Sequence, residues 1–323
     1  MSAVGRLSRR RPSLFATRIG RRFVVRGVAM LLIPCWAAAS ALHPDAIADF
    51  MPPELGALRG DPQVQMWWNE GTDLERREQL LESTQRYEQI EALLPGSAFL
   101  QWRIARNYWR HAELLPADDK SSRQHYFGLA DAWASRSLES NPECGECILW
   151  KLASMGRLAT TGGVLQAMHL ASTIAAMIER GIALNPTHHD EGRANVALAN
   201  LYYAGAAFYR IVPERVWVKW MIGVRGDRER SLDYIRKAMA ISNPRVDYQV
   251  ELGAVLLCIG HDRHDAARIE EGRQALREAM GIARFQSTDD LDLAHARILL
   301  DAPERACGYS RDGWIELSET KLH

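Results

Sequence analysis

The chain has 323 residues, of which 47% are hydrophobic, and it carries 40 basic and 40 acidic side chains. Eight arginines precede the first acid, Asp45, so the rest of the chain holds 32 basic and 40 acidic residues. This negative excess disfavours nucleic acid as a partner, because it repels a phosphate backbone. Five cysteines are too few for a disulfide-rich scaffold.

Residues 1–41 predict a signal peptide or an N-terminal anchor. An arginine-rich stretch to Arg26 precedes an apolar run of 14 residues, 28–41. That run is shorter than the ~20 residues that span a bilayer, and it closes on small residues that suit signal cleavage. Cleavage before Leu42, retention as an anchor and lipidation at Cys35 remain alternatives. Each of them predicts an exported protein that is periplasmic or envelope-associated.

The remaining chain predicts a leader over 42–72, a helical repeat domain over 73–285 and a C-terminal helix and tail over 286–323. Pro, Ala and Asp are frequent in the leader. Beyond it, apolar residues recur at helical spacing between capping residues and Pro or Gly stops. No segment alternates with the two-residue period of a strand. The pattern predicts helices over 74–94, 99–114, 123–140, 147–162, 164–184, about 190–202, 228–241, 248–260, 265–284 and 290–300.

Three of these helical runs close on the same dipeptide, Asn-Pro. It occurs at Asn141-Pro142, Asn185-Pro186 and Asn243-Pro244. A unit that recurs in this way is a helical hairpin that cannot bury its apolar face alone, so neighbouring hairpins stack. The sequence therefore predicts an all-α solenoid of antiparallel helix pairs.

These units resemble a degenerate tetratricopeptide repeat (TPR). Leu252-Gly253 followed by Gly260, and the aromatic Trp102 early in its helix, match the first helix of that repeat. The closing prolines match its end, although they lie 44 and 58 residues apart, where the repeat has about 34. The resemblance implies a surface for binding rather than catalysis.

Two narrower resemblances concern particular blocks. Residues 100–106, Leu-Gln-Trp-Arg-Ile-Ala-Arg, are similar to a helix of the regulator of microtubule dynamics family. Residues of 75–285 also resemble the T-component of tripartite ATP-independent periplasmic (TRAP) transporters, an exported repeat protein that partners a solute-binding protein. This second resemblance implies a periplasmic solute-binding protein as partner, and a homo-oligomer. It is carried by Trp150, Gly156-Arg157-Leu158, Ile178, Asn185-Pro186, Tyr202-Tyr203, Pro213 and Lys237-Ala238.

Cys144 and Cys147 are the strongest candidates for redox or metal chemistry. A thioredoxin-like pair needs a strand–helix context, and zinc needs two further ligands, which the sequence does not offer nearby. We therefore expect a structural disulfide or two unreactive thiols, with Cys258 a buried thiol and Cys307 in the polar tail. The histidine motifs at 187–191 and 261–265 are predicted to be polar turns, so neither a metal nor a cofactor is expected.

The leading functional hypothesis is a TPR-like scaffold that binds a protein partner. No nucleophile–base set and no glycine-rich phosphate loop is recognisable, so an enzyme is not predicted. The insertion 210–226 either packs over the edge of the solenoid or forms a lid. The alternative function is a carrier of a hydrophobic small molecule in a helical cavity beneath that insertion. The predicted binding residues are Tyr202, Tyr203, Tyr209, Trp217 and Trp220.

Overall fold

The computed structural model describes residues 52–186, 189–190, 195–242, 244–284 and 286–314. The predicted signal or anchor at 1–41, including Cys35, lies outside these residues.

Twelve α-helices and two 3₁₀-helices follow one another along this part of the chain, and the prediction of an all-α fold is confirmed. Two antiparallel hairpins of two-residue strands are the exception, β1 His189–Asp190 with β2 Asn195–Val196, and β3 Tyr309–Ser310 with β4 Gly313–Trp314. The 3₁₀-helices are Pro53–Leu58 and Pro303–Gly308. The α-helices are α1 Pro62–Arg76, α2 Leu80–Leu93, α3 Ala98–Leu114, α4 Lys120–Ser140, α5 Gly145–Gly162, α6 Val164–Ala183, α7 Ala197–Ile211, α8 Val216–Ile222, α9 Arg228–Ile241, α10 Val246–Arg263, α11 Ala266–Ala279 and α12 Asp289–Asp301.

Short polar side chains fix where several helices begin. Ser97 accepts a hydrogen bond from the Leu100 amide at 3.4 Å at the start of α3. Asp119, Asp227 and Asp265 accept comparable bonds at the starts of α4, α9 and α11. Each bond satisfies an amide that has no partner inside its own helix.

The structure differs from the predicted helices in three places: one predicted helix is broken, and two segments predicted as non-helical contain a helix. Residues 74–94 were expected to form one helix, but the chain turns at Glu78, whose φ is 58°, between α1 and α2. α1 begins at Pro62, inside the stretch predicted as a leader, where Asp61 accepts a hydrogen bond from the Gln63 amide at 2.8 Å. A capping aspartate followed directly by proline, here Asp61-Pro62, marks the start of a helix. The many Pro, Ala and Asp residues of this stretch instead favoured the prediction of a leader. The connection 210–227 likewise contains α8.

Successive helices pack as antiparallel neighbours, which confirms a repeat-like solenoid. The alternate helices α3, α5, α7 and α10 also contact one another in series, and we call them the A-helix wall. Glycines allow close packing within the hairpins. A Cβ at Gly205 would lie 2.6 Å from the Tyr234 ring, and one at Gly253 would lie 2.6 Å from Leu276.

The core is distributed along the stack rather than gathered in one centre. One cluster joins α1 to α3, a second joins α5 to α10, and a third joins α10 to α12 and the residues that follow. Each pair of helices therefore depends on its neighbours to bury its apolar face, as the repeat pattern predicts. Among the described helices, none has the length and apolar character needed to cross a membrane.

Candidate functional site

A cavity of about 440 Å³ lies against the A-helix wall. This volume falls within the roughly 300–1,000 Å³ that is usual for small-molecule sites. Helices α5, α6 and α7 supply most of its lining, and the rest comes from Glu78 between α1 and α2, from α3, from α8 and α10 with the residues beside them, and from Gln286 and the chain after α12. Its apolar lining residues are Leu149, Trp150, Leu152, Ala153, Ala159, Ala167, Met168, Ala171, Ile174, Ala204, Ala207, Phe208, Ile211, Val212, Pro213 and Ile222.

Small side chains at helical spacing leave the space that forms the cavity. On α5, Ala153 and Gly156 lie one turn apart, and a Cβ at Gly156 would have no heavy atom within 4 Å. Ala204 and Ala207 repeat this arrangement on α7, where Phe208 adds an aromatic surface. Residues three or four apart lie on the same face of a helix, so α5 and α7 each present a pair of small residues to the cavity.

Six arginines line the cavity, and five of them are neutralised by carboxylates. Arg106 pairs with Glu75 at 2.7 Å, Arg157 with Glu113 at 2.6 Å, Arg210 with Glu251 at 2.7 Å, Arg245 with Asp247 at 2.6 Å, and Arg311 with Asp292 at 2.6 Å. The sixth, Arg110 on α3, is half-buried and forms no ion pair with any described residue. It therefore places a guanidinium without a carboxylate partner at the α3 end of the cavity, although the lining also contains the carboxylate of Glu78.

Trp109 provides a hydrogen-bond donor at the same end. Its side chain lines the cavity, and its ring lies edge-on to Trp150 with centroids 5.7 Å apart. The indole Nε1 is buried and has no acceptor among the described residues. Because a buried N–H normally finds an acceptor, Trp109 and Arg110 together suit a ligand that carries an anionic or acceptor group.

The chain after α12 folds back onto the A-helix wall, and we call residues 303–314 the C-terminal segment. The buried guanidinium of Arg210 donates to the carbonyl oxygens of Ala306, Cys307 and Tyr309, at 2.8, 3.1 and 2.9 Å. Cys307 also forms a disulfide with Cys258 of α10. The prediction of a buried Cys258 thiol and a Cys307 in a loose tail is therefore corrected, because folding brings together cysteines 49 residues apart.

Arg311 and Asp312 anchor the end of this segment in two oppositely charged sites. Arg311 donates to Asp292 at 2.6 and 2.8 Å and to Glu113 at 3.3 Å. Asp312 lies 2.7 Å from Arg123 and 3.0 Å from Arg157, and it accepts a hydrogen bond from the Thr160 hydroxyl. All of these charged side chains are largely buried, so the contacts are shielded from water.

Asp292 and Asp312, two of the carboxylates in this cluster, titrate differently. Burial alone would raise the pKa of Asp312, but Arg157, the Thr160 hydroxyl and Arg123 outweigh it and lower that pKa to about 2. Burial dominates at Asp292 and raises its pKa to about 6, although Arg311 opposes the shift. Asp312 is thus the carboxylate whose charge the folded state favours.

The five predicted binding residues do not form one surface. Tyr203 lines the cavity and stacks on Tyr248 at 5.2 Å, and burial raises the pKa of Tyr203 above its ordinary value. Tyr202 and Tyr209 instead pack against Tyr234 of α9, and the Tyr209 hydroxyl donates to Glu179 at 3.0 Å. Trp217 and Trp220 lie on α8, with 45% and 86% of their surface exposed.

The motifs weighed for metal or redox chemistry lie apart from the cavity lining. Cys144 and Cys147 form a disulfide at the start of α5. His261 lies in the last turn of α10 and His264 ends it with φ 55°, while residues 187–188 and 191–194 are outside the described part. In the described residues, no group of three or more metal-binding side chains is found.

Sequence reasoning did not single out Trp109 and Arg110. They belong to an amphipathic helix with several other aromatic and basic residues, and their spacing carries no distinguishing signal. Only the placement of their neighbours shows that one arginine lacks a carboxylate and one indole lacks an acceptor.

Comparison with known proteins gives one partial match. No curated protein matches the chain. The family model of regulator of microtubule dynamics protein 1-3 matches residues 64–212, which extend from α1 to the residue after α7. This range includes the Trp-Arg-Ile-Ala-Arg block of α3 and most of the cavity-lining helices. Over residues 64–212 the chain is therefore similar to the regulator of microtubule dynamics protein 1-3 family, a helical family.

Proposed function

We propose that the chain is a non-enzymatic binding protein that holds an amphipathic small molecule in the cavity against the A-helix wall. The ligand class is an apolar body with an anionic head, such as a medium-chain carboxylate. The observation that carries this proposal is an apolar cavity with one lining arginine, Arg110 at its α3 end, that forms no ion pair with a described residue. It develops the carrier hypothesis of the sequence analysis.

The apolar lining favours a hydrocarbon body. Met168 and Ile174 of α6 face the same space as Ala207 and Phe208 of α7. Each methylene that such a body moves out of water contributes about 0.8 kcal/mol. A short chain can thus bind appreciably without any specific polar contact.

The polar end favours an anion over a neutral head. Hydrogen bonds to a charged group are worth about 1.5–3 kcal/mol, which corresponds to roughly 10–100-fold in affinity. Arg110 can supply that interaction, and the Trp109 indole can add a second donor. The other lining arginines are already paired with carboxylates, so they attract an added anion less.

The test is a titration of the purified full chain with dodecanoate and with dodecanol. Arg110→Ala should weaken dodecanoate binding roughly 10-fold or more and change dodecanol binding little. Arg297→Ala, on an exposed arginine of α12 with no ion pair among the described residues, is the matched control.

A second pair of variants tests the location of the apolar body. Ala207→Phe fills the cavity and should abolish binding of both ligands, whereas Ala132→Phe, at an exposed position of α4, should not. Circular dichroism checks that both variants fold. Equal affinity of wild type and Ala207→Phe for both ligands, or no binding to wild type, contradicts the proposal.

A second candidate function is that of a scaffold for a protein partner, and one observation favours it. The A-helix wall already holds a piece of polypeptide, the C-terminal segment, through Arg311, which donates to Glu113 of α3, and Asp312, which pairs with Arg157 of α5. A partner with adjacent basic and acidic residues would compete for those sites. If the TRAP resemblance holds, this partner is a periplasmic solute-binding protein. Two disulfides support the exported location that the N-terminal pattern predicts.

Weakening the C-terminal segment tests this second function. The full-length Arg311→Ala/Asp312→Ala variant should recover more of a partner from envelope extract than wild type does. A synthetic peptide of residues 303–314 should compete with that partner. Equal recovery, or no effect of the peptide, counts against binding at this wall. Trp217→Ala/Trp220→Ala tests the alternative that the partner binds α8.

A further inference from the structure

The exposed side of α8 is an apolar surface that the fold leaves uncovered. Val216, Trp217, Trp220 and Met221 are 62%, 45%, 86% and 56% exposed. Val218 on the opposite side is buried, and Ile222 lines the cavity. α8 therefore has one face that packs on the stack and another that stays largely exposed among the described residues. We call the exposed face, which carries Val216, Trp217, Trp220 and Met221, the Trp face.

Backbone hydrogen bonds between the start and the end of the insertion hold α8 and its Trp face in place. The Gly226 amide donates to the Pro213 carbonyl at 2.9 Å, and the Asp227 amide donates to the Tyr209 carbonyl at 3.1 Å. A Cβ at Gly226 would overlap the Val212 carbonyl oxygen, so only glycine fits there. The two ends of the insertion therefore lie close together on the stack, and these contacts fix the position of α8.

Every charged side chain within residues 215–226 is basic. Residues 215–226 include Arg215, Lys219 and Arg225 and no acidic residue. The nearest acid on the N-terminal side, Glu214, accepts a hydrogen bond from the Arg228 amide at 2.6 Å. Tryptophans surrounded by lysine and arginine suit the boundary between lipid headgroups and acyl chains. Protein interfaces, in contrast, are depleted in lysine.

We propose that the Trp face docks on a bilayer surface that contains anionic lipids. Trp217 and Trp220 enter the headgroup boundary, and Lys219 and Arg225 contact lipid phosphates. With seven residues, α8 is far shorter than the ~20 residues of a spanning helix, so it lies in the plane of the surface. The docking depends on exposed residues only and does not require the proposed ligand.

Vesicle flotation of the full chain tests this surface. Wild type should bind vesicles of equal parts phosphatidylcholine and phosphatidylglycerol. Trp217→Ala/Trp220→Ala should reduce that binding at least roughly tenfold, because two aromatic side chains that would be buried in the bilayer are removed.

Lys219→Glu should weaken binding to these vesicles more than to pure phosphatidylcholine, and added salt should weaken the binding of wild type to the anionic vesicles. Met221→Ala should also weaken binding, whereas Met66→Ala, at an exposed apolar residue of α1, is its control and should not.

A spectroscopic readout separates α8 from the basic and apolar N-terminus, which can also bind lipid. Brominated phosphatidylcholine should quench wild-type fluorescence more than that of Trp217→Phe/Trp220→Phe. Equal quenching, or unchanged flotation of the double alanine variant, overturns the proposal. So does a wild type that ignores vesicles but self-associates through α8, which would assign the Trp face to a second copy. Arg110→Ala should float like wild type, which keeps failure here distinct from failure of ligand binding.

Discussion

Buried charges fix the local structure at both ends of the described chain. Glu75 accepts hydrogen bonds from Arg103 at 2.6 Å and from Arg106 at 2.7 Å, and all three side chains are buried. Asp312 performs the same task near the other end, between Arg123 and Arg157. Removing one partner of such a group leaves the others charged in a poorly solvated place, which is costly.

The first prediction concerns Glu75. Glu75→Gln should lower the free energy of unfolding by about 3–5 kcal/mol, because two buried guanidiniums lose their counter-charge. Asp73→Asn is the control: its pair with Arg77, at 2.7 Å, is well exposed, and exposed pairs contribute at most about 1 kcal/mol. Urea unfolding measures both variants. Similar losses for the two would show that burial does not set the cost.

The second prediction concerns the pH dependence at Asp312. Its folded pKa is about 2, below the ordinary 3.8, so the unfolded chain binds more protons between these values. Stability from Asp312 is therefore complete above pH about 4 and is lost as the pH falls toward 2, amounting to about 2 kcal/mol.

Urea unfolding of wild type and Asp312→Asn across this window measures the effect. The stability difference between them should shrink as the pH falls from 4 to 2. Asp290→Asn, at an exposed pair with Arg284, is the control and should show little change. A difference between wild type and Asp312→Asn that stays constant with pH contradicts the assigned pKa.

At the scale of elements, the hairpins depend on glycines where two helices approach closely. Gly205 of α7 lies against Tyr234 of α9, and Gly253 of α10 lies against Leu276 of α11. Gly156 of α5 faces open space instead. The same residue type therefore serves packing at two positions and leaves room for the cavity at the third.

The third prediction separates these roles. Gly205→Ala and Gly253→Ala should each destabilise the protein by about 1–3 kcal/mol, because the new methyl group forces the partner side chain to move. Gly156→Ala should be neutral or stabilise by up to about 1 kcal/mol, through the better helix propensity of alanine. Thermal unfolding of the three variants decides this. A destabilised Gly156→Ala would place a neighbour where the structure has space.

The elements also show what the sequence can predict. The bounds of α3 and α9 follow from caps and periodicity, and the repeat pattern implies the stacking of neighbours. The break at Glu78 was missed because a single residue with positive φ leaves no periodic signal. The site could not be predicted in this way, because it depends on contacts between distant residues. Arg110 is distinctive because the other lining arginines are paired, and all of them except Arg245 meet a carboxylate on another element.

At the scale of the whole described structure, the C-terminal segment ties the end of the chain to helices from its middle. Arg311 reaches Glu113 of α3, and Cys307 is bonded to Cys258 of α10. Both links join residues far apart in sequence. The disulfide also restricts the unfolded chain, whereas the ion pair acts only in the folded state.

The fourth prediction tests this tie. Cys258→Ala/Cys307→Ala should cost up to about 4 kcal/mol, since the bridge closes a 49-residue loop. Cys144→Ala/Cys147→Ala should cost less, because that loop spans only three residues. Guanidinium unfolding under oxidising conditions compares the two double variants. A larger loss from the second pair would contradict a stabilising role for the C-terminal tie.

The proposed function depends on the cavity. A crystal structure of the protein grown in the presence of dodecanoate tests it most directly. We predict density for one ligand between α5, α6 and α7, with its carboxylate within hydrogen-bonding distance of Arg110. Density for the ligand elsewhere, or a cavity that stays empty at saturating dodecanoate, would contradict the account.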